Sequence, residues 1–218
     1  NMIVLLIGLQ YLGDYIGTHS KKSDDLSTIK VLSYNVRIFN AYQWIPNLEK
    51  ETIFNFFKNE KADILCIQEF YAPDKIPDLD YNFRHIGLQT RKSQWHMAIY
   101  SNYPQINKST VNIKGKRMNN TCIYSDIVIL DDTVRVYNIH LASNFFKSSD
   151  YSFFTEPTIK KEKIKKGIIS IVKRMKISYQ KRAYEVLTIK EHMSNSPFTI
   201  IICGDFNDTP LSYAYRKI

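Results

Sequence analysis

Residues Ile29–Glu69 contain the clearest structural pattern in the chain: the segment begins with IKVLSYNV (Ile29–Val36) and ends with DILCIQE (Asp63–Glu69). Both ends are rich in β-branched and other apolar side chains, which is typical of buried strands. Between them, Leu48–Asn59 carries apolar residues at a helical spacing, namely Ile53, Phe56 and Phe57. The pattern predicts a strand, helix, strand unit.

Further strands are predicted along the rest of the chain. MAIYS at Met97–Ser101 is a short strand ended by Tyr103-Pro104, and Phe198–Cys203 (FTIIIC) is an apolar strand. The runs Cys122–Leu130 and Thr133–Leu141 are separated by Asp131-Asp132, which indicates a tight hairpin.

A helical period extends from Thr158 to Met193 in two stretches. The first stretch has an apolar stripe, formed by Ile164, Ile168, Ile171, Val172 and Met175. The second stretch carries Ala183, Val186 and Leu187. Because helices alternate with strands and an antiparallel hairpin is present, the pattern favours a mixed-sheet α/β sandwich over an all-parallel fold.

Composition agrees with a folded domain. The chain has 218 residues, of which 44% are hydrophobic and 23% charged, and this excludes a disordered chain, a collagen-like repeat and a polytopic membrane protein. One large domain or two small ones would fit the length. The three cysteines, Cys66, Cys122 and Cys203, lie in apolar runs; their odd number and the absence of a CxxC pair predict reduced, buried thiols.

The formal charge of +9 is confined to one segment. Lys160–Arg182 contains ten basic residues and one acidic residue, so it carries the whole excess. Three interpretations remain open: a surface for nucleic-acid phosphates, a surface for an anionic bilayer, or the solvated face of an amphipathic helix that covers a sheet.

The first 27 residues differ from the rest. The chain begins with Asn1, and Met2–Leu9 (MIVLLIGL) is an apolar run of eight residues, too short for a bilayer that needs about 20. We interpret residues 1–17 as the remnant of a membrane helix, the alternative being a short segment packed on the domain. Residues 18–27 (THSKKSDDLS) are a polar linker, and residues 28–218 form the folded domain. A membrane-associated location follows from this interpretation.

Polar side chains follow the strongest predicted strands. They are Asn35, then Gln68 and Glu69, then Asn138 and His140, and finally Asp205, Asn207 and Asp208. Because a sheet gathers strand ends in space, we expect these groups to cluster. Carboxylate, amide and imidazole groups without a thiolate suit a hard cation such as Mg²⁺, which prefers oxygen ligands and retains waters for a phosphate substrate. The pattern indicates phosphate-ester hydrolysis.

GDFND (Gly204–Asp208) is the most informative of these motifs. Gly204 allows a tight backbone at the end of a buried strand, and Asp205 and Asn207 lie two residues apart, hence on one side of an extended segment. A turn alone would explain the glycine and one aspartate, but it would not explain the apolar strand that precedes the motif.

Five motifs in order resemble the endonuclease/exonuclease/phosphatase superfamily, which includes deoxyribonuclease I, abasic-site endonucleases, neutral sphingomyelinases and inositol polyphosphate 5-phosphatases. They are SYNVR (33–37), DILCIQEF (63–70), AIYSNYP (98–104), YNIHLAS (137–143) and GDFNDTP (204–210). RIFNAYQW (37–44) resembles the membrane-anchored bacterial members in particular. The resemblance implies a deoxyribonuclease I-like four-layer sandwich of class α/β (α+β), with two mixed β-sheets face to face, helices outside and the site at one rim.

The resemblance also implies residue roles. Asn35 and Glu69 would bind a divalent metal, Mg²⁺ or Mn²⁺. His140 would contact the scissile phosphate, Asp205 would orient or activate the attacking water, and Asn207 would donate to the phosphoryl oxygens. Such a site suits in-line attack on phosphorus.

Two features depart from the family pattern. A Ser-Asp-His element near the C-terminus is absent, since no histidine follows GDFND, and His96-Met97 stands where relatives often have Gly before the AIYS strand. We therefore expect a domain whose C-terminal part is missing and a 218-residue chain that is inactive or very weak alone.

The leading hypothesis is metal-dependent hydrolysis of a phosphodiester, with nucleic acid or phospholipid as the substrate partner and with membrane association through the N-terminus. The alternatives are a sphingomyelinase-like enzyme, a phosphoinositide-phosphatase-like enzyme, and a non-catalytic, membrane-tethered module that binds anions.

Overall fold

The computed structural model describes Leu9 and residues 28–72, 76–87, 95–113, 122–144 and 161–218. Within these residues it has eight strands, three helices and a short turn at Arg37–Asn40. In chain order the elements are β1 (Val31–Asn35), α1 (Lys50–Glu60), β2 (Ile64–Tyr71), β3 (Phe83–Gly87), β4 (Trp95–Ser101), β5 (Gln105–Thr110), β6 (Cys122–Ile129), β7 (Asp132–His140), α2 (Lys161–Ser194), β8 (Thr199–Asp205) and α3 (Tyr213–Lys217).

The strands form two mixed four-stranded sheets. One has the order β1-β2-β4-β3 and the other β5-β6-β7-β8. Each has one parallel pair, β1 with β2 and β7 with β8, and its other pairs are antiparallel. The sheets pack face to face, with β1 against β8 and β2 against β7. The carboxyl ends of both parallel pairs therefore meet at the same rim.

Three apolar layers hold the sandwich together. One lies between α1 and the first sheet and includes Phe57, Leu65 and Phe70. The second lies between the sheets, with Ile99, Ile127 and Val136 among its members. The third joins the second sheet to α2 through Tyr137, Val186 and Ile189. The mixed-sheet α/β sandwich that the pattern predicts, and the four layers that the resemblance implies, are confirmed.

The predicted strand, helix, strand unit is confirmed as β1, α1 and β2, but two strands were not predicted. β3 and β5 lie at the edges of their sheets. β5 (QINKST) exposes four consecutive residues and buries Gln105, so it lacks the apolar signature of a central strand. The hairpin turn falls at Leu130–Asp131, one residue earlier than predicted, because Asp132 already pairs with Ile129.

The predicted apolar stripe on the basic helix is wrong in part. The residues 161–194 form one continuous helix, and both Ile168 and Val172 are exposed. The buried face of α2 instead contains Ser178, Arg182, Glu185, Val186 and Ile189. Arg182 and Glu185 are charged, so apolar periodicity alone does not identify the buried face of the helix.

The predictions for residues 1–17 and 18–27 lie outside the described residues, apart from the exposed Leu9. Among the described helices, none combines the length and the apolar character that a bilayer-crossing segment needs. The three cysteines are free and buried, as predicted. A hydrogen bond with Cys203, together with burial, raises the pKa of the Cys66 thiol, so Cys66 stays protonated in the core between the sheets.

Candidate active site

The five side chains assigned to the site by sequence converge at the rim. The Asn35 amide nitrogen donates to Glu69 Oε1 at 3.2 Å and to Asp205 Oδ2 at 2.9 Å. His140 Nε2 lies 3.6 Å from Glu69 Oε1. His140 is also the register partner of Asp205 across the parallel pair β7–β8. The grouping follows from the facing of the two sheets, which brings residues of β1, β2, β7 and β8 together.

Asp205 and Asn207 are held by the turn that follows β8. The Asn207 backbone N–H donates to Asp205 Oδ1 at 2.8 Å, and the Asn207 side-chain amide donates to the Leu141 carbonyl at 2.9 Å. Gly204 has a φ of +151°, and a Cβ there would collide with the Ile139 carbonyl oxygen. The glycine is therefore required by the close approach of β7 and β8, which agrees with its predicted role.

Glu69 reaches the rim through a β-bulge. Ile67 pairs with Ala98 on β4, and Phe70 pairs with His96, so two residues of β2 oppose one residue of β4. Glu69 itself has a φ of +51°. The extra residue resets the alternation of side chains: Phe70 joins the core beneath α1, while Glu69 stays partly exposed at the rim.

Asn138 of the facing sheet stabilises this bulge, and it is paired with Gln68 of β2. The Asn138 amide nitrogen donates to the carbonyls of Ile67 and Ala98, both at 2.9 Å. The Gln68 amide donates to Asn138 Oδ1 at 2.7 Å. Both side chains are buried. Gln68 and Asn138 thus lie between the sheets, beneath the site, and satisfy polar backbone groups next to the bulge.

The turn Arg37–Asn40 fixes the position of Asn35, and sequence reasoning did not predict it. All four residues have positive φ, from +45° to +57°, which is unfavourable for residues other than glycine. The Arg37 N–H donates to Asn35 Oδ1 at 2.9 Å. The Asn40 side chain donates to the carbonyls of Ile45 and Leu48 and accepts from the Ile45 N–H. The RIFN motif (Arg37–Asn40) therefore forms this left-handed turn.

Helix α2 holds the chain that leaves β7, and this role was also missed. Arg182 Nε donates to Asp208 Oδ2 at 2.9 Å, and its Nη1 donates to the Ala142 carbonyl at 2.7 Å. Glu185 Oε2 accepts from the Ala142 N–H at 2.8 Å. We call Arg182, Glu185 and Asp208 the α2 clamp. The sequence did contain a signal for this role. Arg182 and Glu185 are three positions apart on the predicted helix, and that spacing puts them on one face.

The donor set fits a hard cation with few protein ligands. Two carboxylates, Glu69 and Asp205, converge on one amide group, and such an approach of like charges favours a cation between them. Among the described residues, no group of three or more His, Cys, Asp or Glu side chains could hold a metal. Two carboxylates completed by water and substrate oxygens match the preference of Mg²⁺. Asn35 now presents its nitrogen to the carboxylates, so its oxygen would become a ligand only after a rotation of the amide.

Comparisons with known proteins agree with this fold. The family model for the Endonuclease/Exonuclease/phosphatase family matches residues 32–218. No curated protein matches the chain. Among solved structures, a hairpin-deletion mutant of beta toxin from Staphylococcus aureus is 18% identical, with a TM-score of 0.58 over 87% of this chain and 70% of that one.

Two further structures have the same fold. Sphingomyelinase C from Streptomyces griseocarneus is 15% identical, with a TM-score of 0.55 over 87% of this chain and 68% of that one. Truncated TDP2 from Caenorhabditis elegans is 14% identical, with a TM-score of 0.54 over 87% of this chain and 64% of that one. At these identities the likeness establishes a shared architecture.

The fold and the matched family place the chain in the class of phosphate-ester hydrolases. The chain belongs to the Endonuclease/Exonuclease/phosphatase family, which the order of its five motifs predicted.

Proposed function

We propose that this chain carries the site of a divalent-metal-dependent phosphodiesterase. The observation that supports the proposal most strongly is the convergence of Glu69 and Asp205 on the Asn35 amide, with His140 beside them. A metal ion bound there would neutralise charge that develops on the phosphoryl oxygens. Glu69 would be its main carboxylate ligand and Asn35 would supply an amide oxygen.

Asp205 would orient the attacking water. Its two oxygens already accept hydrogen bonds from the Asn207 N–H and the Asn35 amide, so the carboxylate is held in one orientation. Each oxygen retains a lone pair that can accept from a water molecule. The water oxygen would form the new bond to phosphorus as the bond to the leaving oxygen breaks. Asp205 would accept the proton that the water loses, and the leaving oxygen would take a proton from solvent.

His140 and Asn207 would act on the phosphoryl group. His140 is partly exposed beside Glu69, and its ring N–H would donate to an oxygen of the scissile phosphate. One hydrogen of the Asn207 amide is directed at the Leu141 carbonyl, and its second hydrogen would donate to the substrate. Donors that are already positioned stabilise the transition state without reorganisation.

The second part of the proposal concerns the class of substrate. The likeness to sphingomyelinase C, together with the predicted membrane association, makes a phospholipid phosphodiester the first substrate class to test, with nucleic acid as the alternative. Sphingomyelin, plasmid DNA and a chromogenic phosphodiester, compared side by side, would rank these classes.

Metal binding tests the proposal without relying on turnover. Titration of the chain with Mn²⁺, followed by electron paramagnetic resonance, should show one site. Glu69→Gln should weaken Mn²⁺ binding by about tenfold or more, because a charged ligand becomes neutral. The exposed Glu51 on α1 provides the matched control, and Glu51→Gln should bind Mn²⁺ like the unmodified chain.

Turnover tests the chemistry. In the natural gene product that contains residues 1–218, Asp205→Asn should lower the rate of phosphodiester hydrolysis by at least about a hundredfold, since a positioned water is lost. Unchanged hydrolysis in this variant would remove Asp205 from the mechanism. Metal binding without hydrolysis of any phosphate ester would favour the anion-binding module.

A further inference from the structure

The N-terminal half of α2 exposes an aliphatic cluster. Ile168, Ile169, Val172 and Ile177 are 55%, 47%, 57% and 52% exposed. The first three lie on adjacent turns at spacings of three and four residues, so they form one continuous patch. Exposed aliphatic side chains this concentrated on a single helix indicate an interaction surface.

Lysines surround this cluster. Lys165, Lys166, Lys173 and Lys176 are all exposed, and no acidic residue occurs between Lys163 and Tyr184. Arg182 does not contribute, because it is buried in the α2 clamp. We call the four lysines and the four aliphatic residues the α2 surface. Its chemistry, apolar side chains flanked by lysines, complements an apolar phase with an anionic boundary.

The α2 surface lies at the end of the molecule that carries the candidate site. Along α2, His192 contacts the hydroxyl of Tyr137, Glu185 accepts from Ala142, and Ser178 donates to the Ser143 carbonyl. The helix thus runs antiparallel to β7, and its lower residue numbers lie toward and beyond the rim. From Ser178 back to Lys165 the helix extends by roughly another 20 Å. The α2 surface therefore projects past the end of β7.

We infer that the α2 surface docks onto an anionic lipid bilayer. The aliphatic side chains would enter the boundary between headgroups and acyl chains, while the lysines would pair with anionic headgroups. A nucleic acid would satisfy the lysines but offers no apolar phase for Ile168, Ile169 and Val172. Docking in this way would bring the rim that carries Glu69 and Asp205 toward the membrane surface. The binding surface is separate from the metal site and does not depend on catalysis.

Vesicle sedimentation with the 218-residue chain tests the surface. The chain should partition to vesicles of phosphatidylcholine with phosphatidylserine more strongly than to phosphatidylcholine alone. Ile168→Glu with Val172→Glu should lower the partition coefficient by about tenfold or more. Leu187→Glu is the matched control, because Leu187 is 48% exposed on the same helix, and it should change binding by less than about twofold.

The charge contribution is tested separately. Lys173→Gln with Lys176→Gln should lower partitioning to the anionic vesicles by about tenfold and leave binding to neutral vesicles unchanged. Lys58→Gln with Lys190→Gln removes the same charge elsewhere and should have a smaller effect. If Lys173→Gln with Lys176→Gln weakened binding to plasmid DNA while vesicle binding stayed unchanged, the bilayer assignment would be overturned in favour of nucleic acid.

A fluorescent probe locates the contact without altering charge. The native cysteines are all buried, so a thiol-reactive bimane will label Val172→Cys selectively. Its emission should shift to the blue on anionic vesicles, whereas the same label at Leu187→Cys should not respond. Sedimentation of labelled protein with no shift at position 172 would overturn the inference and assign binding to another segment, such as residues 2–9.

Discussion

At the scale of single residues, the candidate site contains unfavourable backbone conformations. Glu69 and Asn207 have φ angles of +51° and +50°, and each such conformation costs about 1–3 kcal/mol unless its surroundings hold it. Hydrogen bonds to Asp205 and Leu141 hold Asn207, while Asn138 stabilises the bulge that contains Glu69. Strain of this kind is concentrated at functional sites, which agrees with the proposed roles.

Asn138→Leu should destabilise the protein by about 2–4 kcal/mol, because the buried carbonyls of Ile67 and Ala98 would lose their donor. The measurement is the free energy of unfolding in urea. Asn102→Leu is the control: Asn102 is exposed, and its substitution should change stability by less than about 0.5 kcal/mol. Equal effects of the two substitutions would mean that Asn138 does not support the bulge.

At the scale of elements, α2 has two parts with different tasks. Its C-terminal half packs Val186 and Ile189 on the second sheet and holds Ala142 and Asp208 through the α2 clamp. Its N-terminal half carries the exposed α2 surface. The buried Arg182–Asp208 ion pair therefore anchors the C-terminal half of α2 to the domain. The N-terminal half stays exposed and can contact a partner.

Arg182→Met should cost about 3–5 kcal/mol, because the Asp208 carboxylate, only 5% exposed, would lose its cation. Asp208→Asn should also destabilise, and the double variant should lose clearly less than the sum of the two single variants. Urea unfolding of all four proteins measures this coupling. Additive losses would show that the two side chains do not interact in solution.

At the scale of the whole molecule, the two sheets are joined by polar contacts as well as by the apolar core. His85 Nδ1 on β3 lies 3.1 Å from the Ser125 hydroxyl on β6. Burial, with a smaller contribution from Lys108, lowers the pKa of His85 to about 4. The imidazole is therefore neutral in the folded protein at pH values where the unfolded chain would be protonated.

This linkage predicts a pH dependence of stability. Between pH 6.5 and about 4 the unfolded chain binds more protons at His85 than the folded protein, so stability should fall as the pH is lowered through that window. The loss from His85 should be about 2 kcal/mol after allowance for partial exposure. Urea unfolding at a series of pH values measures it.

His85→Asn should flatten this dependence, because asparagine can keep a hydrogen bond with Ser125 but does not titrate. A smaller slope should persist from His192, whose pKa is lowered by burial and by Arg135. Identical pH profiles for the unmodified chain and the variant would contradict the assignment to His85.

Much of the fold and site could be predicted from the chain because the signals are local. Apolar runs such as those of β2 and β8 identify central strands, and a polar residue after such a run identifies a strand end. The edge strands β3 and β5 were not predicted, because one face of each is polar and a strand at the edge of a sheet does not need an apolar run. Ile168 and Val172 were placed on an apolar stripe, and periodicity does not distinguish a stripe that packs on a sheet from one that stays exposed.

The amino-acid sequence alone identified the central strands, the long helix, the family and the five candidate site residues, because these depend on neighbouring residues and on ordered motifs. The groups that support these residues became visible in the folded structure: the bulge at Glu69, the left-handed turn Arg37–Asn40, the amide pair Gln68–Asn138 and the α2 clamp. Each of these joins segments that are far apart in the chain or depends on backbone angles. Their geometry is set by how the two sheets and α2 pack, and a linear pattern does not contain that information.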